Sequence, residues 1–240
     1  MPESHESKRE AYLIQGGLIV DGTGAAPYQS DVLIREGKLE QLAPSISLAS
    51  NPNAELIDAR CCIVTPGFID PHTHYDGQAT WDDRLAPSAD HGVTTVVMGN
   101  CGVGFAPVRP HERDFLIELM EGVEDIPGSA LADGIDWRWQ SFPEYLDTLA
   151  RKPHGVDVSE QVPHGAIRTY VLGRENKLNG PASPEQIQQM AALTQEAIEA
   201  GAFAFSTGRI AMHTSTGGVS VPGTFAEKEE VLSIIKAMQA

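Results

Sequence analysis

The chain has 240 residues, and its 33 acidic against 17 basic side chains leave a formal net charge of -16 at pH 7. That length can hold one large domain or two smaller ones, each with a buried core. The acidic balance argues against nucleic acid and anionic membrane surfaces as partners, because no basic stripe exists to displace counterions from phosphates. No stretch approaches the ~18 consecutive apolar residues of a membrane span, and the polar lead at residues 1–10 is followed by no apolar leader region. Cys61, Cys62 and Cys101 are an odd set with two members adjacent, which is no disulfide framework. A reducing, cytoplasmic setting is expected.

The first 60 or so residues read as β. Tyr12-Leu13-Ile14 and Leu18-Ile19-Val20 flank Gly16-Gly17, and Glu36-Gly37 separates Asp31-Val32-Leu33-Ile34 from Lys38-Leu39-Glu40-Gln41-Leu42, a hairpin signal. Ala54-Glu55-Leu56-Ile57-Asp58 adds a short strand. These signals delimit a small β-sandwich-like domain over residues 1–61.

From residue 62 the pattern alternates β and α. An apolar run over residues 62–70 is the first strand, and a short helix ends near Asp90-His91 with Gly92 after it. Val93-Thr94-Thr95-Val96-Val97-Met98 is β-branched and apolar, as in an interior parallel strand. An irregular stretch with a helical piece at 114–120 runs to Ile135; a helix is expected over 142–150, and a strand followed by a turn of helix over 159–172. Ser183 as N-cap and Pro184 at the first helical position open a strong helix, whose apolar residues Ile187, Met190, Ala191, Leu193, Ala197 and Ile198 keep helical spacing up to Gly201. A strand at 202–206 and a helix at 227–238 complete the order.

Strands each followed by helix predict an α/β region with a parallel sheet. A closed (β/α)8 TIM barrel takes about 250 residues, so residues 62–240 suffice for about four of its eight units. A partial barrel is the expectation, and with it a fragment whose edge strands and inner face need covering by a missing C-terminal half or by a second copy.

The chemistry concentrates at strand ends. His72-Thr73-His74 follows the apolar strand directly, and residues i and i+2 of an extended chain face the same way. Both imidazoles can then converge on one divalent cation such as Zn2+, at the strand end where (β/α)8 enzymes place their chemistry. Asp70 is placed to hold an imidazole N–H from behind. Cys101, in Gly99-Asn100-Cys101-Gly102 just past the second strand, shares that rim and is a third candidate ligand, the other reading being a small buried residue. Arg209 and Arg168 are candidates for gripping a substrate carboxylate, with ordinary salt bridges as the alternative. His164, after the third strand, either lines the pocket or bonds to backbone; His213 has similar standing. Trp137 and Trp139 form either a lid over the rim or a local core.

Pro-Gly-Phe-Ile-Asp-Pro-His-Thr-His-Tyr-Asp at 66–76 resembles the first-strand motif of the amidohydrolase superfamily. Gly-Val-Thr-Thr-Val-Val-Met-Gly-Asn-Cys-Gly at 92–102 is similar to that of amidohydrolase family 3, the N-acyl-D-amino-acid deacylase (D-aminoacylase) group. Residues 119–128 and 205–209 look like the same group. The resemblance covers nearly the whole chain but only the N-terminal half of a typical member. It implies a metal-dependent hydrolase of linear amide C–N bonds, acting on small-molecule substrates. It also implies Zn2+ held by His72, His74 and Cys101, with the cysteine standing where many relatives use a carboxylated lysine. Further zinc histidines and the aspartate acting as general acid/base are implied on strands beyond residue 240. Two alternatives stand beside this reading: a truncated, catalytically inactive product, and a cyclic amidohydrolase of dihydroorotase or hydantoinase type. The cysteine in place of a fourth-strand lysine counts against the second.

Overall fold

A computed structural model describes residues 11–174 and 178–239; the polar lead at residues 1–10 lies outside the described residues. The chain divides into two compact units, Met1–Gly67 and Phe68–Ala240.

In the first unit, β1 (Ala11–Ile19), β2 (Tyr28–Arg35), β3 (Lys38–Ala43) and β4 (Ala54–Asp58) hydrogen-bond in the order β3-β2-β1-β4, and β5 (Ile63–Val64) also pairs with β1. β1 runs antiparallel to β2 and parallel to β4 and β5. The two pieces expected around Gly16-Gly17 are one strand. Its register shifts between Ile14 and Gly17, where Gly16 has φ +73°, a conformation glycine takes without a Cβ clash. The β2–β3 turn has φ 53° at Glu36 and 72° at Gly37, the pair of positive values a type I′ hairpin requires. Buried Asp31 accepts the backbone N–H groups of Gly16 and Ile46, both at 2.8 Å, next to a small core of Leu13, Leu33 and Ile46.

The run read as one strand over residues 62–70 is divided. Ile63–Val64 completes the first sheet, and β6 (Phe68–Asp70) opens the second. Pro66 lies between them and has no N–H to give a ladder.

The second unit is α/β. β6, β7 (Val93–Met98), β8 (Asp157–Pro163) and β9 (Ala204–Ser206) lie side by side in chain order, and every pair is parallel. α1 (Ala86–Ala89) lies between β6 and β7. α2 (Arg113–Glu124), α3 (Gly128–Gly134) and α4 (Phe142–Ala150) lie between β7 and β8. α5 (His164–Leu172) and α6 (Pro184–Glu199) lie between β8 and β9, and α7 (Lys228–Ala237) follows. This sequential run of parallel βα units is part of a (β/α)8 barrel. The helical piece expected at 114–120 is α2, which runs on to Glu124 and buries Phe115, Leu116, Leu119 and Met120 on one face; α3 adds a helix where irregular chain is expected. Trp139 is buried with its indole N–H donating to Phe105 O at 2.8 Å, and the Trp137 ring packs 5.6 Å from it. Both tryptophans belong to the core, not to a lid.

Among the described residues β6 and β9 each pair on one side only, and Phe68, Ile69 and Phe203, on or next to them, are 58%, 66% and 66% exposed. An unpaired parallel edge with apolar side chains invites cover. No described helix is long and apolar enough to cross a membrane.

α6 starts with a complete capping box. Ser183 Oγ accepts the Gln186 N–H at 3.2 Å, and Gln186 Oε1 accepts the Ser183 N–H at 2.8 Å. Ser183→Ala is therefore expected to lower stability by about 1 kcal/mol, read as a lower urea midpoint with an unchanged slope.

Candidate metal centre

Beyond β6 the backbone stays tied to β7. The N–H and the hydroxyl of Thr73 both donate to Val97 O, at 3.0 and 2.9 Å. Thr73 is buried, so the alternation of an extended chain turns His72 and His74 the other way, with ring centroids 5.4 Å apart. Among the described residues Asp70 reaches no imidazole. Its Oδ1 accepts the backbone N–H of His72 at 3.2 Å and so fixes main chain instead of a ring.

Cys101 is delivered by a left-handed turn at the end of β7. Gly99, Cys101 and Gly102 have φ +75°, +56° and +76°. A Cβ on Gly99 would stand 2.2 Å from Gln161 O, so glycine is required there. Cys101 is a non-glycine residue in the left-handed region, a conformation that persists only where its surroundings enforce it. The enforcement is visible. Asn100 Nδ2 donates to Thr73 O at 3.2 Å and Val97 O at 2.9 Å, Gln161 Nε2 donates to Asn100 Oδ1 at 2.8 Å, and the Gly102 N–H donates to Ser206 Oγ at 3.0 Å. The result places Cys101 Sγ 3.3 Å from His72 Nε2. One donor atom from each of His72, His74 and Cys101 lies within 4.8 Å of the others.

The electrostatics suit a cation. Neither ring nitrogen of His74 has a hydrogen-bond partner among the described residues. Burial, then His72 and His213, push its imidazole down to about 4, so it is neutral with a lone pair free. Burial, then Glu124 and Asp76, raise the Cys101 thiol. Burial also raises the Glu124 carboxyl, whose Oε1 stands 3.2 Å from His74 Nε2. A divalent ion would reverse the upward shifts on thiol and carboxyl. Nitrogen and thiolate donors at this spacing fit zinc.

Behind the rim is a buried acidic pair that sequence reasoning missed. Asp76 Oδ1 accepts the Gly99 N–H at 2.9 Å, and the Tyr145 hydroxyl is 2.8 Å from Asp76 O and 3.5 Å from Glu160 Oε2. Burial, then the neighbouring Asp76, raises the Glu160 carboxyl well above the usual range, and burial raises Asp76 as well. Asp76 stands two residues past His74, which is a signal of a kind; Glu160 has none.

The other expected site residues fare differently. Arg168 is fully buried. It ion-pairs with Glu230 and donates to Leu178 O at 2.6 Å and to Gly180 O. Its guanidinium is committed within the protein, which corrects its assignment to substrate. His164 is buried in the same network, with Nε2 2.8 Å from Glu230 Oε1 and Nδ1 2.9 Å from Thr207 Oγ1. Its partners are side chains, neither a pocket nor backbone. Burial acts to raise Glu230, but His164 and Arg168 outweigh it and hold that carboxyl below its ordinary value. Arg209 is exposed, with Nη2 donating to Ala226 O at 2.7 Å.

Residues 55–240 match the amidohydrolase family. The chain belongs to that family. Among relatives of this amidohydrolase chain, N-acyl-D-aspartate deacylase of Alcaligenes xylosoxydans xylosoxydans is 33% identical over 197 residues, which is 82% of this chain and 36% of that protein. A crystal structure of D-aminoacylase superposes with a TM-score of 0.74 at 30% identity, over 95% of this chain and 43% of that one. N-acyl-D-glutamate deacylase from Bordetella bronchiseptica, solved with zinc and a phosphonate mimic of the tetrahedral intermediate, superposes at 0.72 and 29% identity, over 96% and 43%. The chain thus spans roughly two fifths of the length of these relatives.

Two substitutions test the electrostatic reading. Arg168→Met leaves Glu230 without its buried guanidinium and is expected to destabilise the fold by about 3–5 kcal/mol in urea denaturation; a residue serving substrate alone would leave stability unchanged. Glu160→Gln separates in pH. Because the folded carboxyl is raised, the native state keeps a proton that the unfolded chain releases. The wild type's stability from this group is full below the unfolded value of 4.5 and declines as pH rises above it. The melting temperature of the variant relative to wild type is therefore expected to rise as pH increases above about 5; a flat difference would contradict the burial argument.

Proposed function

We propose that this chain supplies the metal-holding part of a zinc-dependent amidohydrolase that cleaves linear amide C–N bonds, with N-acyl-D-amino acids as its substrate class. The observation that carries the reading is the convergence of His72, His74 and Cys101 within 4.8 Å, at the C-terminal rim of a parallel sheet in a family member. Relatives that deacylate N-acyl-D-aspartate and N-acyl-D-glutamate support the substrate class. A zinc ion bound there supplies Lewis acidity toward a carbonyl and acidifies water. His72 and His74 hold it through neutral ring nitrogens, and Cys101 holds it as a thiolate after losing its proton. Arg209, exposed on the loop after β9, is the proposed grip for a substrate carboxylate.

The general acid/base carboxylate belongs, in this reading, to strands beyond those described. Activity then requires the barrel to be completed, by a C-terminal half or by a second copy, either of which would also cover the edges of β6 and β9. A free thiol ligand suits a reducing, cytoplasmic setting. Opening of cyclic ureides fits less well, since no lysine stands between Phe203 and Arg209 and a cysteine takes the third-ligand place.

The test is an assay of the zinc-loaded chain, alone and in the assembly it forms in its source cell, against N-acetyl-D-aspartate, N-acetyl-D-glutamate, N-acetyl-D-leucine, their L enantiomers and dihydrouracil. Hydrolysis of the linear D substrates by the assembly, with none by the isolated chain, is expected. Turnover of dihydrouracil alone would overturn the substrate class, and an assembly inert toward all of them would favour a truncated, inactive product.

A further inference from the structure

We propose that Thr207 is a positioning residue for the Cys101 thiol, carrying the hold of the buried His164–Glu230 pair to the turn that presents the sulfur. Its bearing on zinc rests on the centre proposed above; the hold itself does not. Cys101 keeps a left-handed backbone at φ +56°, so groups outside β7 must keep it there. The turn is gripped from two sides. On one side Ser206 Oγ accepts the Gly102 N–H at 3.0 Å, and a Cβ on Gly208 would stand 2.9 Å from Cys101 O. On the other side a Cβ on Gly165 would stand 2.6 Å from Gly102 O. Residues 206–208 and Gly165 thus close on two successive peptide units of the turn, and at two of these contacts only glycine fits.

Both grips lead back to His164. It precedes Gly165 in the chain, and Thr207, between Ser206 and Gly208, has its Oγ1 2.9 Å from His164 Nδ1. The imidazole is walled in. It is 1% exposed, its Nε2 is 2.8 Å from Glu230 Oε1, and the Phe205 ring packs with its centroid 5.2 Å away. A Cβ on Gly223 would stand 2.5 Å from Nδ1. Burial acts to raise Glu230, but His164 and Arg168 hold it below its ordinary value, so at neutral pH it is ionised and only accepts. His164 Nε2 therefore carries a proton and donates it. Nδ1 is left for Thr207, whose hydroxyl can donate or accept and so serves either state of that nitrogen. Thr207 is exposed, yet its hydroxyl ends on this fixed, buried ring. The line runs from Glu230 on α7, through His164 and Thr207, to the loop that grips Cys101.

The experiment alkylates the full 240-residue chain, reduced and metal-free, with iodoacetamide. Each cysteine is followed by peptide mass spectrometry in wild type, Thr207→Val, Thr207→Ala and Thr207→Ser. The exposed Cys61 and Cys62, in the first unit, are the internal reference. Thr207→Val keeps the shape and loses the hydroxyl. It is expected to raise the Cys101 rate about two- to tenfold, the change in local opening that one lost hydrogen bond allows, with Cys61 and Cys62 unchanged. Thr207→Ser keeps the hydroxyl and is expected to react like wild type. Thr207→Ala carries the test should Thr207→Val not give the wild-type circular dichroism. A wild-type Cys101 rate in Thr207→Val and Thr207→Ala would overturn the proposal, and so would a Thr207→Ser chain that reacts as fast as Thr207→Val. Added Co2+ tests the zinc reading separately: a wild type without a thiolate-to-metal band would overturn that reading, while the alkylation rates still decide the role of Thr207.

Discussion

The rest of the site depends on one constraint, the left-handed turn that ends β7. At Gly99, with φ +75°, any side chain would run into Gln161 O, and Cys101, with φ +56°, presents its thiol to His72. A cysteine in that conformation is strained. The strain is held by hydrogen bonds that reach the segment after β6 through Thr73 O, β8 through Gln161 and β9 through Ser206. Three strands of the second sheet and the segment that follows the fourth thus contribute to placing one sulfur atom. The parallel order of the sheet is what brings these partners together, because every strand delivers its C-terminal end to the same rim.

A second layer explains why that rim is electrostatically tense. Asp76, Glu160 and Tyr145 are sealed beneath it, and Asp76 is bonded to the Gly99 N–H. Buried carboxyls at raised values hold their protons and act as hydrogen-bonding groups more than as charges. Cys101 and Glu124, half-buried above them, are likewise pushed away from ionisation. A bound cation would relieve that tension, so metal binding and a settled rim would be coupled. The Arg168–Glu230–His164 network plays the corresponding part between α5 and α7, joining two helices with side chains that solvent does not reach.

How much of this is legible in the sequence follows from the range of each signal. His72, Thr73 and His74 are readable because alternation is local, and Cys101 because glycines on both sides announce a turn. α6 is readable from Ser183 and Pro184. α2 is readable only in part, because its N-cap, Glu112, makes no side-chain cap hydrogen bond to mark the start. Arg168 reads as a substrate residue because its partner Glu230 lies 62 positions away, and an arginine carries no local mark of being buried. Glu124 stands inside a stretch that resembles the family, but nothing local to it shows that its carboxylate lies 3.2 Å from His74 Nε2.

Zinc K-edge X-ray absorption of the zinc-loaded chain tests the central claim most directly, because it reads the donor atoms without needing turnover. The account predicts one sulfur at about 2.3 Å and nitrogen or oxygen donors at about 2.0–2.1 Å, with the sulfur shell lost in Cys101→Ser. A zinc ion bound by nitrogen and oxygen alone in the wild type would contradict it.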